Sequence, residues 1–314
     1  MMRMPLLYPL LAAGLLTLTG CDLCDLVDAG GGGRYTQDFH YSYPLAAGGR
    51  VSLEGFNGPV EISAWNDNSV AIDGTKHGPT PELRDAIKID ISATPDSVYI
   101  RALRPSERRG NFGVRFTLRV PRTARLERIV SSNGPIRCSG VEGGARLRTS
   151  NGPVRAENMK GGVEVHTSNG PVSVINVEGG VDVKTSNGPV RAEAVRGWFE
   201  AATSNGPVTV ELGEMESTRA VKLDTSNGPI EIRLPEGVRG ELRASTSNAG
   251  ITLRLPPGAN ARLIASARHA SVRSDFDVQG EGPASRGRLE GLIGKGGPTL
   301  DLSTSNGAIR ILKQ

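Results

Sequence analysis

The stretch Thr149-Ser150-Asn151-Gly152-Pro153-Val154 decides the fold, because it returns almost unchanged at 167–172, 185–190 and 203–208. Successive copies are eighteen residues apart, and altered copies occupy 132–136, 225–230, 246–251 and 304–309. An outlying Asn57-Gly58-Pro59-Val60 precedes them. A short fixed period is typical of solenoids, in which equivalent units stack and each contacts only its neighbours.

Each unit contains two runs in which apolar and polar residues alternate. Val154 and Ala156 belong to the first run, Val163 and Val165 belong to the second, and Gly161-Gly162 separates the two. Period two over about four residues predicts two short strands per unit, and the recurring Gly and Pro argue against a helix. We therefore predict an all-β, single-stranded β-solenoid, parallel β-helix or β-roll-like, with rungs of ~18 residues and irregular N-terminal capping rungs.

Alignment of the units predicts four inward-facing columns, two from each strand of the rung. The first strand contributes Ile136, Val154, Val172, Val190, Val208, Ile230, Ile251 and Ile309, and then Cys138, Ala156, Val174, Ala192, Val210, Ile232, Leu253 and Ile311. The second strand contributes Ala145, Val163, Val181, Phe199 and Val221, and then Leu147, Val165, Val183, Ala201 and Leu223. Aromatic residues make up only 4% of the chain, which predicts a thin aliphatic core.

One Asn in each repeated block is expected to be structural. Asn tolerates left-handed backbone, and its amide can bond the same residue one rung away. We predict a ladder formed by Asn133, Asn151, Asn169, Asn187, Asn205, Asn227, Asn248 and Asn306. The next residue, for example Gly170, is expected to have a positive φ, and loss of Asn169 is expected to leave buried turn groups unpaired.

The N-terminus differs in character from the repeats. Arg3 precedes an apolar run over 6–18 and then Leu18-Thr19-Gly20-Cys21, which predicts a secretory signal peptide at 1–20. Small residues before Cys21 resemble a bacterial lipobox, which implies acylation of that cysteine; an ordinary signal peptide is the alternative. Residues 21–34 are rich in Gly and are predicted to form a flexible tether.

The remaining chain is predicted to have three parts. Residues 35–130 are expected to form N-terminal rungs and a cap, because a bare solenoid end exposes a sheet edge. Residues 131–255 are the regular repeat, and 256–314 are expected to form C-terminal rungs. A polar loop from 280 to 297 is predicted to protrude from this last part and to be the better place for a functional surface.

Several segments together resemble the bacterial putative-adhesin β-solenoid family, which is related to adhesin-head domains. They are Gly58-Pro59-Val60-Glu61-Ile62 with Trp65 and Val70, Phe116-Thr117-Leu118-Arg119-Val120-Pro121, the Ser-Asn-Gly blocks, and Gly291-Leu292-Ile293-Gly294 before Thr304-Ser305-Asn306-Gly307. The resemblance covers about residues 35 to 314. It implies the solenoid fold and an envelope location, and it implies no catalytic residues.

A search for reactive constellations predicts no metal and no cofactor. The four histidines, His40, His77, His166 and His269, lack a ligand spacing. One stretch is basic and is a candidate for binding anionic surfaces through Arg101, Arg104, Arg108, Arg109 and Arg115, although solvated strand faces explain it equally simply. Cys138 falls in an inward column and is predicted to be a buried thiol; its pairing with Cys24 is left open.

These features predict a non-enzymatic, lipid-anchored and extracytoplasmic protein of the bacterial envelope that presents a rigid surface for adhesion or binding. Its expected partners are the membrane, through acylated Cys21, and an envelope polysaccharide, an anionic glycolipid or another envelope protein; nucleic acid is not expected. One alternative is a periplasmic scaffold or sensor accessory in envelope stress. Another is a polysaccharide-active β-helix enzyme, with Asp275, Asp277, Glu281 and Glu290 as residues to test.

Overall fold

The structure is a computed structural model that describes residues 35–106, 110–213, 219–237, 239–280 and 285–314. The predicted signal peptide, Cys21, Cys24 and the tether lie outside the described residues. In the described part, no helix combines the length and the apolar character that a membrane crossing requires. These residues build one compact unit.

The described residues form β-strands and one short helix. The N-terminal part contains β1 Tyr35–Pro44, β2 Arg50–Glu54, β3 Val60–Trp65, β4 Ser69–Gly78, α1 Pro81–Asp85, β5 Lys88–Thr94, β6 Ser97–Leu103, β7 Gly113–Pro121 and β8 Arg125–Ser131. The repeats contain β9 Ile136–Ser139, β10 Ala145–Thr149, β11 Val154–Met159, β12 Val163–His166, β13 Val172–Glu178, β14 Val181–Lys184, β15 Val190–Arg196, β16 Phe199–Thr203, β17 Val208–Leu212, β18 Val221–Thr225, β19 Ile230–Arg233, β20 Leu242–Thr246 and β21 Ile251–Leu255. The C-terminal part contains β22 Ala261–Ala267, β23 Val272–Ser274, β24 Val278–Gly280, β25 Arg288–Ile293, β26 Thr299–Thr304 and β27 Ile309–Lys313.

The strands form two long sheets, and each regular rung contributes one strand to each of them. The 13-stranded sheet has the order β1-β4-β7-β3-β9-β11-β13-β15-β17-β19-β21-β27-β23. The 14-stranded sheet has the order β24-β25-β22-β26-β20-β18-β16-β14-β12-β10-β8-β2-β6-β5. Rungs pair in parallel and in register, as Val154 with Val172 and Val163 with Val181 illustrate. The predicted all-β solenoid is confirmed.

The core lies between the inner faces of the two sheets. Every residue of the four predicted inward columns is buried, from Ile136 at 0% exposure to Ala145 at 4%. Each strand of a rung inserts two or three side chains, mostly Val, Ile, Leu and Ala, and Phe199 is a large exception. The alternation of apolar and polar residues therefore predicts the inward faces correctly, because side chains alternate across a pleated strand.

The N-terminal end of the stack does not follow chain order. The rung made of β2 and β3 lies between β8 and β9 on one side and β6 and β7 on the other. Outside that rung the pairing becomes antiparallel, since β4 pairs with β7, β1 with β4, and β5 with β6. After β7 the chain therefore returns past the rung of β2 and β3 and continues the stack with β8 and β9. The strands β1, β4, β5, β6 and β7 cover the N-terminal end.

The C-terminal end repeats this device. The final rung of the chain, β26 and β27, lies between β20 and β21 on one side and β22 and β23 on the other. β25 pairs antiparallel with β22 and with β24. The predicted loop over 280–297 is therefore wrong for residues 288–293, which form β25. Leu289, Gly291 and Ile293 lie on one face of this strand, and Ile293 is 2% exposed because the strand closes the end of the core.

Candidate functional surface

The two turns of each rung line up along the stack as two edges with different chemistry. The Asn edge consists of the Thr-Ser-Asn-Gly turns, at which the chain passes from the 14-stranded to the 13-stranded sheet. The Gly edge consists of the opposite turns, such as 140–144, 160–162, 179–180 and 197–198. The two edges therefore differ in the residues that they present along the stack.

Side-chain amides run in an unbroken series along the Asn edge. The Nδ2 of Asn133 donates to Oδ1 of Asn57 at 2.8 Å. Each following amide donates to the one before it at 2.6 to 2.7 Å, through Asn151, Asn169, Asn187, Asn205, Asn227, Asn248 and Asn306. All of these Asn side chains are exposed to solvent. The ladder therefore holds neighbouring rungs in register at the surface, and the expectation that it satisfies buried groups is wrong.

The Gly after each ladder Asn has a different role from the one expected. The φ of Gly134, Gly152, Gly170, Gly188, Gly206 and Gly228 lies outside the left-handed region, and so does that of each ladder Asn. Stacked turns instead approach each other so closely that a Cβ on Gly188 would lie 1.8 Å from the carbonyl oxygen of Gly170. Glycine is needed there for the close contact between backbones, because any side chain would displace a rigid neighbour.

A buried hydroxyl in each block, absent from the sequence-based predictions, hydrogen-bonds backbone groups of the turn. Thr203 is 7% exposed, its Oγ1 donates to the carbonyl of Gly188 at 3.3 Å, and it accepts from the N–H of Gly206 at 3.2 Å. Equivalent buried threonines are Thr149, Thr167, Thr185, Thr225, Thr246 and Thr304. The available signal was the hydroxyl residue two positions before every ladder Asn, Ser131 before Asn133 and Thr before the others. Thr thus links rungs from inside the core while Asn links them from outside.

A groove of about 450 Å³ crosses several rungs on the Gly edge. Gly144, Gly162 and Gly180 form its floor, and Trp198 holds the equivalent position in the next rung, since Val181 pairs with Phe199. The indole packs back over Gly180, where a Cβ would lie 2.0 Å from ring atoms. The Arg219 guanidinium lies over the ring at 4.0 Å from its centroid. Trp198 therefore closes one end of the groove.

Charged side chains form the wall of this groove on the 14-stranded sheet. Arg146, Glu164, Asp182, Glu200 and Lys222 pair in register in one outward column. Arg146 lies 3.2 Å from Glu164, so the two side chains form an exposed ion pair. Three acidic residues thus occupy successive rungs at the middle of the column.

One carboxylate oxygen of Asp182 has no hydrogen-bond partner among the described residues. Lys184 donates to Oδ2 of Asp182 at 2.8 Å, and this hydrogen bond raises the pKa of the Lys184 ammonium group above its ordinary 10.5. The other oxygen, Oδ1 of Asp182, is shielded from solvent and makes no hydrogen bond to any residue that the structure describes. Asp182 is therefore held by Lys184 through one oxygen, while its side chain lines the groove.

A second cavity, of about 480 Å³, opens on the Gly edge nearer the C-terminus. Three turns that carry Pro235, Pro256 and Pro298 line it, together with buried Leu234 and Leu255. Its wall is more apolar than that of the groove. Other depressions lie on the outer sheet faces, the largest of about 580 Å³ between Glu61, Arg137 and Arg155 on the 13-stranded sheet.

The predicted basic stretch does not form one patch. Arg101 lies on the outer face of β6 in the 14-stranded sheet, 3.5 Å from Glu54. Arg115 lies on the outer face of β7 in the 13-stranded sheet, which faces the opposite way. Arg104 stacks on Phe112 at 5.1 Å from the ring centroid, while Arg108 and Arg109 lie outside the described residues. β6 and β7 follow each other in the chain but belong to different sheets, so the fold separates their arginines. The sequence pattern does not reveal this separation.

Cys138 is a free and buried thiol, as its inward column predicts. It is 2% exposed, and its Sγ lies 3.8 Å from Sδ of Met159. Burial raises the pKa of this thiol to about 12, which makes it inert as a nucleophile near neutral pH. Within the described ranges, no group of three or more His, Cys, Asp or Glu is placed to hold a metal ion.

Comparisons with known proteins identify similar solved structures. No family model matches the chain, and no curated protein does. A putative cell adhesion protein from Clostridium sporogenes is 13% identical, with 88% of this chain and 100% of that chain covered and a TM-score of 0.23. A putative adhesin from Bacteroides fragilis is 12% identical, with coverage of 88% and 97% and a TM-score of 0.39. A putative adhesin from Parabacteroides distasonis is 8% identical, with coverage of 88% and 97% and a TM-score of 0.39.

Proposed function

We propose that this chain is a non-enzymatic, lipid-anchored protein of the bacterial envelope that binds a polysaccharide along its Gly edge. The observation that carries the proposal is the groove of about 450 Å³, whose lining brings carboxylates of Glu127, Glu164 and Asp182 together with the Trp198 indole. Acylation of Cys21 would hold the solenoid at a membrane, because acyl chains contribute about 0.8 kcal/mol per buried methylene.

The shape of the groove suits an extended polymer. Its floor presents equivalent glycine backbones in successive rungs, which repeat at about 4.8 Å. A chain laid across these rungs meets the same backbone groups several times, so several weak contacts add up on one ligand. A compact small molecule would use only one or two of them.

The chemistry of the groove favours a hydroxyl-rich ligand. Glu127, Glu164 and Asp182 offer acceptor oxygens for hydroxyl groups, and the edge of the Trp198 indole offers an apolar contact for the C–H groups of a sugar ring. The wall mixes acidic and basic side chains, whereas nucleic acid requires a row of cations along its phosphates. Polysaccharide therefore fits better than nucleic acid.

The acidic residues are arranged for binding and not for glycoside cleavage. Glycosidases place two carboxyl groups on either side of the scissile bond. Glu164 and Asp182 stand side by side on one outward strand face, as their register shows. Both carboxylates therefore approach a ligand from the same side, which supports recognition without hydrolysis.

The binding proposal is tested by filling the groove. In Gly162→Leu the new side chain would occupy the floor, where the nearest atom to a Cβ is the Gly180 carbonyl oxygen at 3.2 Å. We expect at least a tenfold loss of sedimentation of the full chain with insoluble envelope polysaccharide, about 1.4 kcal/mol. Ser173→Leu, on the outward face of β13, is the matched control and should bind normally. Equal binding by both variants, with unchanged thermal unfolding, would contradict the proposal.

The location is tested by protease treatment of intact cells, with immunodetection of the chain before and after lysis. Loss of the protein from intact cells would support display at the surface and adhesion. Survival until lysis would place the protein in the periplasm and would favour the scaffold or sensor role over adhesion.

A further inference from the structure

The outer edge of the 13-stranded sheet at the N-terminal end is unusually long. The edge strand β1 has ten residues, and its sequence is Tyr-Thr-Gln-Asp-Phe-His-Tyr-Ser-Tyr-Pro. At the other end of the stack, the edge strands β23 and β24 have three residues each. Natural sheets shorten or charge their edges because a long free edge pairs with other chains. β1 therefore requires an explanation that β23 and β24 do not.

The register of β1 identifies which of its backbone groups do not bond β4. Leu45 continues the pairing of β1 with β4, and its N–H donates to the carbonyl of Asn68. In an antiparallel pair, every second residue bonds its neighbour and those between point away. Odd-numbered residues of β1 thus bond β4, and the even-numbered Thr36, Asp38, His40 and Ser42 direct their N–H and C=O groups to the open edge. Arg84 already donates to the Thr36 carbonyl at 3.1 Å, in agreement with this assignment.

The two sheets end at different levels on this side. Beyond the rung of β2 and β3, the 13-stranded sheet has three further strands, β7, β4 and β1, and the 14-stranded sheet has two, β6 and β5. The described part of the chain therefore has no strand opposite β1. This explains why inward-facing aromatic residues of β1 remain exposed, with Tyr35 at 48% and Tyr41 at 38%. A partner at this edge would cover them.

We propose that the occupant of this edge is β1 of a second copy of the chain, paired antiparallel about Phe39. In this register Tyr35 faces Tyr43 of the other copy, Thr36 faces Ser42, Gln37 faces Tyr41, and Asp38 faces His40. Aromatic pairs and hydroxyl pairs directly across a strand pair are stabilising, and the Asp38 carboxylate is a hydrogen-bond acceptor for an imidazole N–H. A twofold rotation about Phe39 exchanges the two strands, so the pairing forms a closed twofold dimer.

Charge selects this register over its neighbours. Because the even-numbered residues supply the free groups, the registers next to it are centred on Asp38 or on His40. The first would place two Asp38 carboxylates directly opposite each other, which is destabilising, and the second would place Asp38 opposite Ser42 and so remove its contact with His40. In the register centred on Phe39, each His40 lies between Asp38 of the other copy and Asp73 of its own chain, to which it is bonded at 2.6 Å. The strand is therefore more self-complementary in this register than in either neighbouring one.

Disulfide trapping in the full chain tests the pairing, in a Cys24→Ser background. Gln37 and Tyr41 of opposite copies would form a non-hydrogen-bonded pair with close Cβ atoms, which suits a disulfide. A mixture of Gln37→Cys and Tyr41→Cys proteins should form linked dimers under mild oxidation, at least tenfold more than either variant alone. Cys138 is buried and contributes no background. Equal linkage in the single-variant samples would overturn the register.

Sedimentation of the same full chain tests the dimer without a crosslink. The unmodified chain should sediment with twice the mass of one chain, and Asp38→Lys should weaken association at least tenfold by placing a cation opposite His40. Thermal unfolding of the variant verifies that the cap is intact. A chain that stays monomeric over the concentration series, as it would if its own residues before 35 covered the edge, would overturn the proposal. So would a dimer that Asp38→Lys leaves unchanged.

Discussion

The two edges of the stack respond differently to changes in the length of the repeat. Ladder residues are 18 apart from Asn133 to Asn205, then 22 apart to Asn227 and 21 apart to Asn248. All of the additional residues lie on the Gly edge, because Val208 still pairs with Ile230 and Val221 with Leu242. The Asn-edge turns from Thr149 to Ile251 keep one length in every rung.

This difference separates stability from recognition. At the Asn edge, backbone contacts as short as those of Gly188, buried threonines and the amide ladder all depend on identical stacked turns, so an insertion would disrupt several rungs. Turns on the Gly edge also include close contacts, as of Gly161 with Gly144, but their lengths differ from rung to rung, and the candidate groove lies there. Variable turns on a rigid scaffold are the usual location of binding sites.

The largest expected effect comes from glycines of the two edges. Gly188→Ala should lower the free energy of unfolding by about 3 kcal/mol or prevent folding, because the added Cβ overlaps the carbonyl of Gly170. Gly162→Ala, on the Gly edge, should cost about 1 kcal/mol or less, since its nearest neighbour would be 3.2 Å away. Chemical denaturation of both variants measures the difference. Similar losses in the two variants would remove the distinction between the edges.

A smaller effect is expected from the buried hydroxyls of the Asn edge. Thr203→Val keeps the shape of the side chain but leaves the Gly188 carbonyl and the Gly206 N–H without their partner, which should cost about 1 to 3 kcal/mol. Thr203→Ser retains the hydroxyl and should recover most of that loss. If denaturant melts showed valine to be as stable as threonine, the buried hydroxyls would not link the rungs.

The smallest effect is expected from the exposed amides. Asn169→Ala removes the bonds to Asn151 and Asn187 at 2.7 and 2.6 Å, but water can replace both of them. We expect a loss of about 0.5 to 1 kcal/mol, below that of Thr203→Val. A larger loss for the alanine variant, in the same thermal and denaturant melts, would show that the exposed ladder carries more of the stability than the buried one.

Local sequence predicted the central rungs well and the ends poorly. Val154 and Val172 were aligned correctly because adjacent rungs repeat the same pattern at a constant step. Ile251 and Ile309 were also aligned correctly, but the sequence did not reveal that β26 lies between β20 and β22, two strands that precede it in the chain. Nothing local in 299–304 distinguishes a strand between two others from one at the end. The same reason hides the position of β3 between β7 and β9.

The candidate groove was also outside the reach of sequence reasoning. Gly144, Gly162 and Gly180 are visible as turn residues, yet a floor exists only after their rungs stack and Trp198 folds back over Gly180. The unpartnered oxygen of Asp182 likewise depends on the position of Lys184 two residues along the same strand. Both features arise from side-chain contacts that the repeat pattern alone does not determine.

The sequence by itself determined the architecture of the rung, because strand alternation, turn residues and the repeat period are properties of neighbouring residues. It determined the inward columns and the Asn series for the same reason. Tertiary structure alone decided that the glycines of the Asn edge serve close packing, that the arginines of β6 and β7 face opposite ways, and that both ends are closed by rungs out of chain order. These outcomes depend on which distant segments pair, and that choice is made by the burial of whole strands at the ends of the core.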